Sequence, residues 1–104
     1  MDVPLVGQTT AVVVRLVVQV PTRPGQTDPE RAAAWAQRRV DVGFRIRTLR
    51  IELGITQEAL ALKSGVTRNV LIDVEHGRRS LLYERLFDLA DALGVPVSEI
   101  MQDQ

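Results

Sequence analysis

The chain has 104 residues, 45% of them hydrophobic and 25% charged, the proportions of one ordinary globular domain rather than a disordered polymer. It has no cysteine and a single histidine, His76, which excludes disulfide frameworks, thiolate chemistry and a multi-histidine metal site within one chain. Four aromatic residues, Trp35, Phe44, Tyr83 and Phe87, are too few for a stacking platform on single-stranded nucleic acid. The formal net charge is zero, yet residues 38–79 carry net +4 and residues 80–104 net −4, so a basic block lies beside an acidic one.

Residues 1–9 show no periodicity. The run AVVVRLVVQV at 11–20 is too short to cross a membrane and contains Arg15 and Gln19. The start of the chain carries Asp2 instead of basic residues, unlike a secretory signal, so a cytoplasmic protein is expected. In an extended conformation Val12, Val14, Leu16, Val18 and Val20 share one face, which predicts a strand with one fully apolar side. PTRPGQT at 21–27 reads as a turn or linker. Residues 1–27 therefore form an N-terminal extension, and residues 28–104 the domain.

Asp28-Pro29-Glu30 is a helix start: a capping carboxylate, a proline suited to the first helical position, and an acid that complements the dipole. Helical residues follow as far as Leu53, with Val42, Ile46, Leu49 and Leu53 as a core stripe. Gly43 leaves open whether this is one helix or two. Gly54 ends it. Thr56 caps a second helix to about Lys63, Ser64-Gly65-Val66 is a turn, and Thr67 caps a third helix to about His76, stopped by Gly77. Arg78, Arg79 and Ser80 form a basic loop. Leu82 to Leu93 is a fourth helix with Leu82, Leu86, Leu89, Ala90 and Leu93 on one face, closed by Gly94, and Ser98-Glu99-Ile100 is a short last one.

Gln57 to His76 holds the informative spacing. Two short helices joined by a three-residue turn cross steeply only where side chains are small. Ala61 lies at the crossing, Gly65 supplies the left-handed turn, and Leu60, Val66, Leu71 and Val74 attach the pair to the body. This is a helix-turn-helix arrangement. Ser64 occupies a position where an apolar residue is more usual, which is expected to weaken packing there. The stretches GFRIRTLRIELGITQEALALKSGVTRNVLIDVEHGRR and LFDLADALGVPVSEI make residues 41–101 resemble the Cro/repressor (XRE) family of helix-turn-helix DNA-binding domains. The resemblance implies an all-α, compact five-helix domain; the N-terminal β-strand extension read from residues 11–20 lies outside it. The resemblance also implies a dimer whose third helix, 67–76, enters the major groove of double-stranded DNA.

By position in that family, the outward side of the third helix presents Thr67, Arg68, Asn69, Ile72 and Asp73 to the bases. Arginine suits guanine O6/N7, asparagine suits adenine N6/N7, isoleucine meets a thymine methyl, and aspartate accepts from cytosine N4. Gln57 resembles the family's phosphate-clamping glutamine, and His76, Arg78 and Arg79 are expected near phosphates. Arg50 and Glu75 match a pair that forms a buried salt bridge in the family. Arg38 is expected on a solvated face. For Arg45 and Arg47 a DNA patch and a solvated face stay open, while Glu84, Asp88 and Asp91 form an exposed acidic face.

No nucleophile–base pair, phosphate loop, cofactor motif or metal set is visible, so an enzyme is not expected. The expected function is a sequence-specific DNA-binding transcriptional regulator, a repressor in type. The alternative is an antitoxin that binds a toxin protein and represses its own operon. The lone strand 11–20 needs a partner for its backbone groups. Pairing with the same strand of a second chain would build a homodimer, against the alternatives of a disordered tail or packing on the chain's own helices.

Overall fold

A computed structural model describes residues 28–102 of the chain, and the strand expected at 11–20 lies outside them. The described residues fall into two units, 28–32 and 33–102. Five helices follow in order: α1 (Pro29–Glu52), α2 (Gln57–Ser64), α3 (Arg68–Glu75), α4 (Tyr83–Leu93) and α5 (Val97–Ile100). Among the described residues there is no strand, and no helix is long and apolar enough to cross a membrane.

In the first unit, Asp28 caps the start of α1: its Oδ1 accepts from the amide of Glu30 at 3.1 Å, and its carbonyl from Ala32 at 2.8 Å. The first free amides of a helix need such acceptors.

In the second unit the core takes one wholly buried side chain from each helix: Ile46, Leu60, Leu71, Leu89 and Ile100. Burial of each such side chain stabilises the fold by about 1.5–3 kcal/mol. Val66, Val74, Ala90 and Leu93 complete the buried cluster, with Val42, Leu49 and Leu86 packed at its edge. The helical period places two residues wrongly. Leu53 is 51% exposed, because α1 ends at Glu52 and the chain turns away through Gly54. Leu82 is 71% exposed; it is the extended residue before α4, at φ −61° and ψ 147°, and not its first turn.

Gly43 does not interrupt α1. It is buried within a continuous helix, where a Cβ would stand 2.1 Å from the Val74 carbonyl oxygen and 3.0 Å from that of Glu75. Glycine there is a demand of close helix crossing. Ser64 does not loosen the turn as expected: it is buried, its hydroxyl donates to the Ala61 carbonyl at 3.4 Å and accepts from the Val66 amide at 3.2 Å. A buried hydroxyl with both partners carries little penalty.

Candidate nucleic-acid interface

α2 and α3 are each eight residues, set by threonine caps. Thr56 Oγ1 accepts from the Ala59 amide at 3.0 Å, and Thr67 Oγ1 from the Val70 amide at 3.4 Å. Between the helices Gly65 takes φ +78°, and its amide donates to the Ala61 carbonyl, a left-handed conformation that L side chains rarely adopt. This short, fixed turn is what throws α3 across α2. At its far end α3 closes on His76, whose amide reaches the Ile72 carbonyl and whose Nδ1 donates to the same oxygen at 2.7 Å.

One side of α3 is locked to the body. Leu71, Val74 and Glu75 are buried. Glu75 accepts from Arg50 twice, from Nε at 2.8 Å and from Nη2 at 3.0 Å, while Arg50 Nη1 donates to the Ile55 carbonyl at 3.0 Å. The side chains of Arg50 and Glu75 are 13% and 1% exposed. In such a setting a two-pronged guanidinium–carboxylate pair is held by geometry as well as charge.

Gln57 joins this pair: its Nε2 donates to Glu75 Oε1 at 3.2 Å. A primary amide has two N–H donors, so one remains for a further acceptor. The amides of Gln57 and Glu58 at the start of α2 have no acceptor within their helix, and such a terminus attracts anions. The bond between Gln57 and Glu75 was not visible in the sequence, where eighteen residues separate the two with no periodic link.

The other side of α3 is open. Thr67, Arg68 and Asn69 are exposed, and among the described residues the side chains of Arg68 and Asn69 have no partner. Ile72 is half-buried. Asp73 lies against Arg78: Oδ1 accepts from Nη2 at 3.2 Å, and the Asp73 carbonyl accepts from the Arg78 amide at 2.9 Å. The structure thus brings together two residues that the sequence assigned separately, one to bases and one to phosphates. The pair is open to water, at 44% and 61% side-chain exposure, and is worth about 1 kcal/mol at most. Arg79 is exposed without a carboxylate among the described residues.

Arg45 clasps α1 to α5, donating to the Glu99 carbonyl at 3.0 Å and to its carboxylate at 3.2 Å. Its guanidinium is therefore committed within the domain, whereas Arg47 stays exposed. Among the described residues no group of three metal-ligating side chains comes together.

A family model described as helix-turn-helix matches residues 46–100, just over half of the chain. An uncharacterised transcriptional regulator in the ATPase CF(0) region of Rhodospirillum rubrum is 39% identical over 62 residues, which are 60% of this chain and 57% of that protein. The immunity repressor protein of Bacillus phage phi105 is 38% identical over 63 residues, 61% of this chain and 44% of the repressor. The chain thus spans about half the length of these two relatives. Among solved structures, the restriction-modification controller protein C.AhdI from Aeromonas hydrophila superposes with a TM-score of 0.59 at 37% identity. That match covers 60% of this chain and 94% of the controller. The five-helix order, the threonine-capped pair about Gly65 and the sequence match converge: the chain belongs to the helix-turn-helix family, in its XRE type.

Proposed function

We propose that the protein is a sequence-specific regulator of transcription that binds double-stranded DNA, acts as a repressor, and inserts α3 into the major groove. One observation carries the reading: at the start of α3 Thr67, Arg68 and Asn69 are exposed, the side chains of Arg68 and Asn69 having no partner among the described residues, while Leu71, Val74 and Glu75 fix the helix to the core. An exposed arginine and asparagine on a rigid helix start match the donor and acceptor pattern of base edges in that groove. The names of the relatives, regulators and a phage repressor, agree with it.

In this reading Thr67, Arg68, Asn69 and Ile72 face bases, with Asp73 turning from Arg78 toward a cytosine or remaining on it. Gln57, His76, Arg78 and Arg79 hold phosphates, and Arg50 with Glu75 fixes the frame. Residues 28–104 form the DNA-binding domain and residues 1–27 an extension to it. The protein works as a homodimer on a two-fold operator, joined through segment 11–20 or through the helices around Val97–Met101, in the compartment that holds the DNA. No observation favours a toxin partner.

Selection of bound duplexes from a random pool, followed by titration at physiological salt, tests the reading. A selected site bound at least about a thousandfold more tightly than random duplex is expected. Equal affinity for both sinks the proposal.

A further inference from the structure

Four of the described arginines are matched by carboxylates: Arg45, Arg50, Arg78 and Arg85. Three others, Arg38, Arg39 and Arg79, line a single surface hollow of about 190 Å³, floored by apolar residues that include Val42, Val74 and Leu86, and no acidic residue lines it. Among the described residues none of the three guanidiniums has an anionic partner. Their aliphatic stems account for the apolar floor, since long basic side chains cover such surface while their heads stay in water. The stems do not account for the charge. Three like charges around one hollow repel each other and concentrate a positive potential above it.

The hollow is smaller than the roughly 300–1,000 Å³ of small-molecule sites, so an effector does not fit. An anion passing over the rim does. The hollow also adjoins the interface. Gly77, at φ +73°, lies so near α1 that a Cβ there would stand 2.8 Å from the Val40 Cα. Residues 38–40 are thereby set beside the turn that delivers Arg78 and Arg79. On its other flank Arg79 lines a second groove together with Gly65, Thr67 and Ser80, next to the first turn of α3. Arg79 therefore links the open face of α3 to the N-terminal half of α1.

We infer that Arg38 and Arg39 bind DNA phosphates together with Arg79, and that the chain grips the duplex backbone with a part of α1 preceding the family match at 46–100. The inference rests on the DNA-binding reading above. It adds affinity and not base preference, because phosphates carry no sequence information.

The test uses the full chain with Arg38→Gln and Arg39→Gln together, which keep part of each stem over the floor and remove both charges. Affinity for the selected duplex and for a random duplex is measured across a salt series. The slope of log affinity against log salt is expected to fall by about two for each bound chain, at about 0.9 for each lost contact. Both duplexes should weaken by a similar factor, and Arg38→Lys with Arg39→Lys should restore the slope. Circular dichroism melts of both variants check that the fold is kept. A wild-type slope in the folded glutamine variant overturns the inference and leaves the regulator reading intact. A wild-type chain that does not prefer the selected duplex overturns the regulator reading first.

Discussion

The two ends of α3 are built to opposite specifications. At its start, Thr67, Arg68 and Asn69 are exposed, and among their side chains only that of Thr67 is tied to local backbone, as the cap. At its end, Val74 and Glu75 are buried, Gly43 lets their carbonyls press against α1, and Glu75 is gripped by Arg50 and Gln57. A helix that enters a partner's groove cannot be held by the residues that enter. It is held by the opposite end, and the strictness of that hold sets the precision of the free end.

Removing the hold has the largest expected effect. Glu75→Ala leaves the Arg50 guanidinium with only the Ile55 carbonyl and should cost about 3–5 kcal/mol in a denaturant melt. Replacing both partners, Arg50→Met with Glu75→Leu, should recover most of that loss while weakening DNA binding, because Gln57 loses its anchor. A melt unchanged by Glu75→Ala would dissolve the contrast between the two ends. Next comes Gly43→Ala: its methyl meets backbone atoms that cannot rotate away, for a cost of about 1–3 kcal/mol or above. The free end behaves in the reverse manner. Arg68→Ala should leave the melt unchanged, cost about 1–3 kcal/mol on the selected site and relax one base preference. If instead it weakens all duplexes equally, Arg68 is a phosphate contact. Smallest is Thr67→Ala, expected to lower stability by about 1 kcal/mol through the lost cap.

Most of the fold is legible in the sequence where its causes are local. Asp28, Thr56 and Thr67 announce helix starts because the capping oxygen and the amide it satisfies are two or three residues apart. Leu60, Val66, Leu71 and Val74 declare themselves by spacing, and all four are buried. Causes that lie in tertiary contact stay hidden. Gly43 reads as a helix breaker by propensity, whereas its role is set by carbonyls more than thirty residues away. The clasp of Arg45 on Glu99 spans 54 residues, so nothing near Arg45 separates it from a DNA-facing arginine. Leu53 and Leu82 obey the period of their helices but stand where the helix has ended or not begun. At the interface, the exposed positions follow from the spacing of α3, while the Asp73–Arg78 pair depends on how the chain folds back at Gly77.

The chain of bonds from Ile55 through Arg50 and Glu75 to Gln57 has a thermodynamic and kinetic consequence. Gln57 has its amide already placed by Glu75 in the free protein. Freezing a long polar side chain at an interface ordinarily costs about 0.5–1.5 kcal/mol. For Gln57 much of that entropy is surrendered on folding, so under the proposed function little would be lost on binding a phosphate. In the proposed complex this preorganisation acts on residence time: encounter is governed by the long-range field of the arginines, and release by how firmly Glu75 keeps that amide in place.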